Sequence, residues 1–168
     1  MVKETEYYLH QTPVDLCKDI ISSIHFPDGI SVLEPYAGEN SFYDNLPINC
    51  IKYRTEIEDG LDYRDFDFDK TKIDIVISNP PFRIDGKNCY FDLLLFFSKK
   101  DIDTIIFLSN DYCYNSITPK RMKKINETGM YLNKVTMTNV FKWRGRYLLS
   151  EFRRTKNPSF EYFNKIYK

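Results

Sequence analysis

A single alanine, Ala37, stands in 168 residues, and glycine, histidine and tryptophan are almost as scarce, at six, two and one. Scarce glycine, with no Gly/Ser tract and no internal repeat, leaves nothing that reads as a linker, so a single domain over 1–168 is expected. Cys17, Cys50, Cys89 and Cys113 are scattered singly, without the paired spacing of a zinc site or a redox dithiol. No metal is expected, and the cysteines read as reduced, partly buried thiols of a cytoplasmic protein. No run approaches the ~18 consecutive apolar residues of a membrane span. Glu4 and Glu6 stand where a secretory leader would be basic, so the chain is expected to be soluble and to make no use of a membrane.

What is present is core material: 42% hydrophobic and 16% aromatic residues with 29% charged, a composition outside the disordered range. The formal net charge of zero hides an asymmetry. Residues 1–118 hold 11 Lys/Arg against 21 Asp/Glu, and residues 119–168 hold 13 against 3. An acidic body with a basic last third suits a surface that attracts a polyanion on one side.

Strand and helix signals alternate along the chain. Thr12-Pro13 reads as an N-cap followed by proline at the first helical position, opening a helix over about 13–25 with Val14, Leu16, Ile20, Ile21 and Ile24 on its apolar face. Ile30–Leu33 reads as a strand that stops at Glu34-Pro35, with a glycine turn at Gly38 and a short helix from Ser41. Cys50–Ile57, Leu61–Phe66 and Ile73–Ile77 follow as strands, then a helix at 89–99, a strand at Thr104–Leu108 and a helix at 119–127. Two last strands, about 133–141 and 146–154, flank Lys142-Trp143-Arg144-Gly145 as a hairpin. The alternation predicts a mostly parallel sheet with helices on both faces and an antiparallel strand at or near the edge. In such sheets a ligand sits beyond the carboxyl ends of the strands.

Asn79-Pro80-Pro81-Phe82 falls at one of those ends, directly after the buried run Ile73–Ser78. Two prolines stiffen the backbone and remove two N–H donors. The Asn79 side-chain oxygen and the Pro80 carbonyl then form a rigid acceptor pair for both hydrogens of a planar amino group, drawing its nitrogen towards tetrahedral geometry without a conventional base. Phe82 supplies an aromatic face for a base taken out of its stack.

This tetrapeptide resembles the catalytic motif, Asn-Pro-Pro-Phe or Asn-Pro-Pro-Tyr, of the class I S-adenosylmethionine-dependent methyltransferases that modify adenine N6. Glu34-Pro35-Tyr36-Ala37-Gly38 resembles the family's cofactor loop after the first strand; where that loop usually has a second glycine this chain has Asn40, a residue that tolerates a left-handed turn. The resemblance implies that Glu56, beside Ile57 at the end of the second strand, binds the cofactor ribose, with Glu58 the competing carboxylate. It implies that Asp62, beside Tyr63, meets the cofactor adenine, with Asp65 competing. Tyr8-Leu9-His10-Gln11-Thr12-Pro13 looks like the segment that closes over the methionine part, through Tyr8, Thr12 and Pro13, and Asn79 would face cofactor as well as substrate. The motif order is that of the gamma subgroup, and the resemblance covers residues 7–109. It implies a Rossmann-like methyltransferase fold of the α/β class, a mostly parallel seven-stranded sheet with a C-terminal antiparallel β-hairpin and helices on both faces, and S-adenosyl-L-methionine as cofactor.

The chain has no room for a separate target-recognition domain, so specificity is either loose or supplied by a partner subunit. The internal candidates for nucleic-acid binding are Lys120, Arg121, Lys123 and Lys124, then Lys142, Trp143, Arg144, Arg146 and Tyr147, then Arg153 and Arg154, where cations interleave with aromatics. DNA is favoured as the acceptor, because Glu-Pro-Tyr-Ala-Gly looks closer to the DNA-modifying enzymes. The alternatives are RNA adenine or guanine, a protein glutamine, and a catalytically silent domain that binds nucleic acid or scaffolds a partner.

Overall fold

A computed structural model describes residues 11–84, 86–140 and 146–167, with side chains as far as residue 158. Helix α1 (Val14–Ser22) precedes strands β1 (Ser31–Pro35), β2 (Ile51–Thr55) and β3 (Ile75–Ser78). A two-stranded hairpin, β4 (Arg83–Ile84) and β5 (Lys87–Asn88), leads into α2 (Tyr90–Ser98), β6 (Thr104–Asn110) and the short α3 (Asp111–Asn115). Helix α4 (Pro119–Glu127) and strands β7 (Tyr131–Val140), β8 (Tyr147–Arg153) and β9 (Ser159–Tyr167) complete the order.

Seven of these strands form one sheet in the order β2-β1-β3-β6-β8-β7-β9. All neighbours from β2 to β6 are parallel; β8 runs antiparallel to both β6 and β7, and β9 is parallel to β7. Residues of opposite parity supply two cores. Ile75, Ile77, Ile106, Leu108, Tyr147 and Leu149 pack with Leu16 and Ile20 of α1, whereas Val76, Ile105, Phe107 and Phe152 pack with Leu94 and Phe97 of α2 and Ile125 of α4. Burial on both faces is why β3 and β6 read as unbroken apolar runs. Among the described residues no helix is long and apolar enough to cross a membrane.

Three expectations need correction. Leu61–Phe66 is no strand: Asp62 accepts from the Arg64 amide at 2.8 Å and closes a single 3-10 turn at Tyr63–Asp65, so local capping outweighs the aromatic β preference. The helix from Ser41 is likewise one 3-10 turn, Tyr43–Asn45. Pro13, not Thr12, is the N-cap of α1, and no side chain caps that helix. The antiparallel strand β8 lies near the edge as expected, but the edge itself belongs to β9, a strand the reading left unassigned although its sequence Ser-Phe-Glu-Tyr-Phe-Asn-Lys-Ile-Tyr carries strand-favouring aromatics.

Candidate active site at the carboxyl edge of the sheet

The carboxyl ends of β1, β2 and β3 lie side by side and tie to each other. Ser78 donates its hydroxyl to the Pro35 carbonyl, and the Ala37 amide donates to Thr55 O at 3.0 Å. Beyond β1 the chain turns through three residues of positive φ, Tyr36 (59°), Gly38 (51°) and Asn40 (63°). Asn40 therefore takes the left-handed conformation expected of it. For a residue as bulky as Tyr36 that conformation is an outlier, and such strain costs roughly 1–3 kcal/mol and collects at binding loops. The Tyr36 ring is held 5.2 Å from that of Tyr63, which packs in turn on Phe96 and Phe97 of α2, so Tyr63 is fixed beside the loop. Burial is the main cause that raises the Tyr36 phenol above its usual range.

Two carboxylates shape this loop. Glu56, buried at the end of β2, accepts from the Gly38 amide at 2.6 Å, which fixes the loop against the second strand. Glu34, on β1, accepts from the Tyr43 amide at 2.7 Å and from the Phe42 amide at 3.4 Å, holding the 3-10 turn that follows. Burial pushes the Glu34 carboxyl up to about 8, against the opposing pull of those two amides. Asp62 stands across the loop from Tyr36 and is bound by Arg64 through both main chain and guanidinium; the side-chain bond is the main cause of its lowered pKa. Sequence reasoning foresaw the carboxylate and not the arginine that holds it. Ile57, beside Glu56, is exposed.

The tetrapeptide Asn79–Phe82 leaves β3 against this loop. Asn79 Nδ2 donates to Thr12 Oγ1 at 3.2 Å, which brings the segment before α1 onto Asn79 and gives the buried Thr12 hydroxyl a partner. Farther along the loop two thiols act as staples: Cys89 Sγ donates to Pro81 O at 3.0 Å and Cys113 Sγ to Phe82 O at 3.9 Å. Both cysteines are buried, which pushes their thiols up to about 11 and about 12 and keeps them protonated donors. The sequence reading did not place these cysteines at the loop: the β4–β5 hairpin returns Cys89 to it, and α3 carries Cys113. The Phe82 ring lies 6.0 Å from that of Tyr147 on β8 and packs on both cores.

The basic candidates divide. Lys120 and Arg121 open α4, both exposed; Arg121 is also committed to Ser116 O at 2.8 Å and to the Phe91 ring at 4.9 Å. Arg146 is exposed at the start of β8 and its carbonyl accepts from the Asp111 amide at 3.0 Å. Arg153 pairs with Glu151, and the Arg154 guanidinium binds the carbonyls of Ile102, Thr128, Ser98 and Lys100, where it ties the ends of α2 and α4 to the sheet. Arg154 is thus a structural residue, not a phosphate contact. Tyr8, Lys142, Trp143 and Arg144 lie outside the described residues.

The residues present fit a nucleoside cofactor. A Cβ placed on Gly38 would meet no heavy atom within 4 Å, so the strained loop opens onto space, and carboxylates stand on either side of it. No family model matches the chain, and none of the curated proteins does. Solved structures do resemble it. A protein assigned as a class I S-adenosylmethionine-dependent methyltransferase from Listeria monocytogenes superposes with a TM-score of 0.64 at 13% identity, over 94% of this chain and 67% of that one. A protein assigned as the modification subunit of a type I restriction enzyme from Vibrio vulnificus YJ016 gives 0.63 at 13% identity, over 90% of this chain and 46% of that one, so this chain spans less than half its length. Magnesium protoporphyrin IX methyltransferase from Synechocystis PCC 6803, solved with S-adenosylmethionine bound, gives 0.59 at 13% identity over 92% and 86%. With its sheet order and its glycine loop beyond β1, the chain has the Rossmann-like methyltransferase fold.

Proposed function

We propose that this chain transfers a methyl group from S-adenosylmethionine to the N6 amino group of adenine in a nucleic acid, DNA before RNA. The observation that carries the reading is the stapled Asn79–Phe82 loop at the carboxyl end of β3, one strand away from the strained loop at Gly38. The likeness to a restriction enzyme's modification subunit supports DNA and supports a partner that supplies specificity.

When bound, the cofactor supplies an electrophilic methyl group on a sulfonium. Gly38 and Ala37 let the backbone approach it, and Glu56, which accepts from the Gly38 and Glu58 amides, is the carboxylate assigned to the ribose hydroxyls. Tyr36 and Tyr63 present rings to its base, with Asp62 beside them. Thr12 holds the Asn79 amide by its nitrogen, and the side-chain oxygen is the atom assigned to an incoming amino group. The thiols hold the carbonyls of Pro81 and Phe82, not that of Pro80, which serves with Asn79 Oδ1 as the acceptor pair. Holding both amino hydrogens localises the nitrogen lone pair, and a rigid acceptor pair does so with no reorganisation during the reaction. Phe82, braced by Tyr147, offers a stacking face to the adenine.

Asn79→Ala tests the reading. Transfer should fall at least about a thousandfold, in the range of losing a preorganised transition-state contact, while cofactor affinity stays within a few fold. Retained transfer would remove Asn79 from the chemistry.

A further inference from the structure

The hairpin Arg83–Asn88 directly follows the tetrapeptide Asn79–Phe82, and its outer side chains lie at the surface. Arg83↔Asn88 and Ile84↔Lys87 pair across it. Arg83, Ile84 and Lys87 are all exposed, and Ile84, at 40%, belongs to neither core. The root of the hairpin is by contrast rigid. Pro81 and Phe82 are held by the two thiols, and Asn88 Oδ1 accepts from the Tyr90 amide at 3.0 Å where α2 begins.

One contact reaches outward from this base. The Arg83 guanidinium lies 5.4 Å from the ring centroid of Tyr112, which is 52% exposed on α3, just beyond the end of β6. Because β6 is the strand next to β3, the pair bridges the loops that follow these two neighbouring strands. The result is an exposed branched apolar side chain on β4, with Arg83 before it in the strand and Lys87 opposite it on β5, and an exposed aromatic alongside. With Asp85 counted against Arg83 and Lys87, the hairpin sequence Arg-Ile-Asp-Gly-Lys-Asn is net positive within a body that is otherwise acidic.

We infer that this hairpin is a strand-separating wedge: Ile84 enters the stack where the target adenine leaves it, and Arg83 and Lys87 receive the flanking phosphates, with the Tyr112 face stacking on an adjacent base. An apolar wedge lowers the cost of extrusion by replacing the stacking partner that the neighbouring bases lose, and cations on either side secure the distorted backbone. A stiff root is required, since a wedge on a loose loop would yield before the duplex does. The inference rests on the nucleic-acid reading above and gives that reading a duplex substrate.

The test compares methyl transfer by the full chain to unmethylated DNA in native and heat-denatured form, with S-adenosylmethionine saturating. For Ile84→Ala the rate on native DNA should fall about tenfold or more, the scale of one lost stacking contact, while the rate on denatured DNA stays within twofold. Arg83→Gln should reduce the salt slope of binding by about one. Equal slowing on both forms would make Ile84 a packing residue and overturn the wedge, as would no slowing on either, or a wild-type chain that methylates denatured DNA alone. A wild-type chain that methylates no nucleic acid overturns the underlying reading and the wedge with it; the wild-type lanes separate that failure from failure of the wedge alone.

Discussion

Asn79 and Thr12 are 67 residues apart in sequence and 3.2 Å apart in space, Nδ2 to Oγ1, so the segment before α1 sets the orientation of the asparagine at the end of β3. Thr12→Val keeps the shape and removes the acceptor. With that hydrogen bond lost, kcat should fall about tenfold, and Thr12→Ser should restore it. Steady-state kinetics decides: a change in KM alone, with kcat intact, would assign Thr12 to cofactor binding instead.

The thiols of Cys89 and Cys113 give a second prediction. Cys89→Ala should lower kcat several-fold, and Cys89→Ser, which keeps a donor, should recover most of it. All four cysteines are buried and free, and burial raises each of their pKa values. At neutral pH a thiol-reactive chromophore should therefore label the folded protein slowly and label all four sites on unfolding. Rapid labelling of Cys89 or Cys113 in the folded state would contradict the staple.

Glu34 makes stability depend on pH. Its carboxyl is raised from an ordinary value near 4.5 to about 8, chiefly by burial. Between those values the folded protein keeps the proton and the unfolded chain releases it, so the folded state binds more protons and stability falls as pH rises through that window. Denaturant titrations from pH 5 to pH 8.5 should show the fall, and Glu34→Gln, which holds no charge and can still accept from the Phe42 and Tyr43 amides, should flatten it. A slope unchanged in the variant would place its source elsewhere.

Gly38 separates strain from binding. Its φ of +51° makes any side chain unfavourable by about 1–2 kcal/mol, although a methyl group would touch nothing within 4 Å. Gly38→Ala should thus remain folded with a modestly lowered Tm. If the cofactor lies over this loop, its affinity should fall by more than that strain explains, about tenfold or more in titration calorimetry. Affinity equal to wild type would move the cofactor off the loop.

The sequence was most legible where geometry is set by neighbours in the chain. β3 and β6 announced themselves because both faces are buried, Asn40 was recognisable as a left-handed residue, and Asn79-Pro80-Pro81-Phe82 carried its stiffness in its prolines. Tyr63–Asp65 misled because its aromatic and β-rich surroundings compete with an Asp62–Arg64 cap only two residues long. Arg154 looked like surface charge, since four carbonyl partners from distant segments leave no trace in local composition. The thiol staples were invisible for the same reason. The hairpin after Phe82 was open to prediction: Asp85-Gly86 between Arg83-Ile84 and Lys87-Asn88 is the composition of a two-residue hairpin turn.

The most direct test of the central claim incubates the full chain with methyl-tritiated S-adenosylmethionine and unmethylated native DNA, denatured DNA and RNA in parallel, then digests each product to nucleosides. Label recovered in N6-methyladenine from DNA, and lost with Asn79→Ala, is the predicted result. Label in another nucleoside or in RNA alone would contradict the assigned acceptor, and a chain that neither transfers label nor binds the cofactor in calorimetry would contradict the enzymatic account itself.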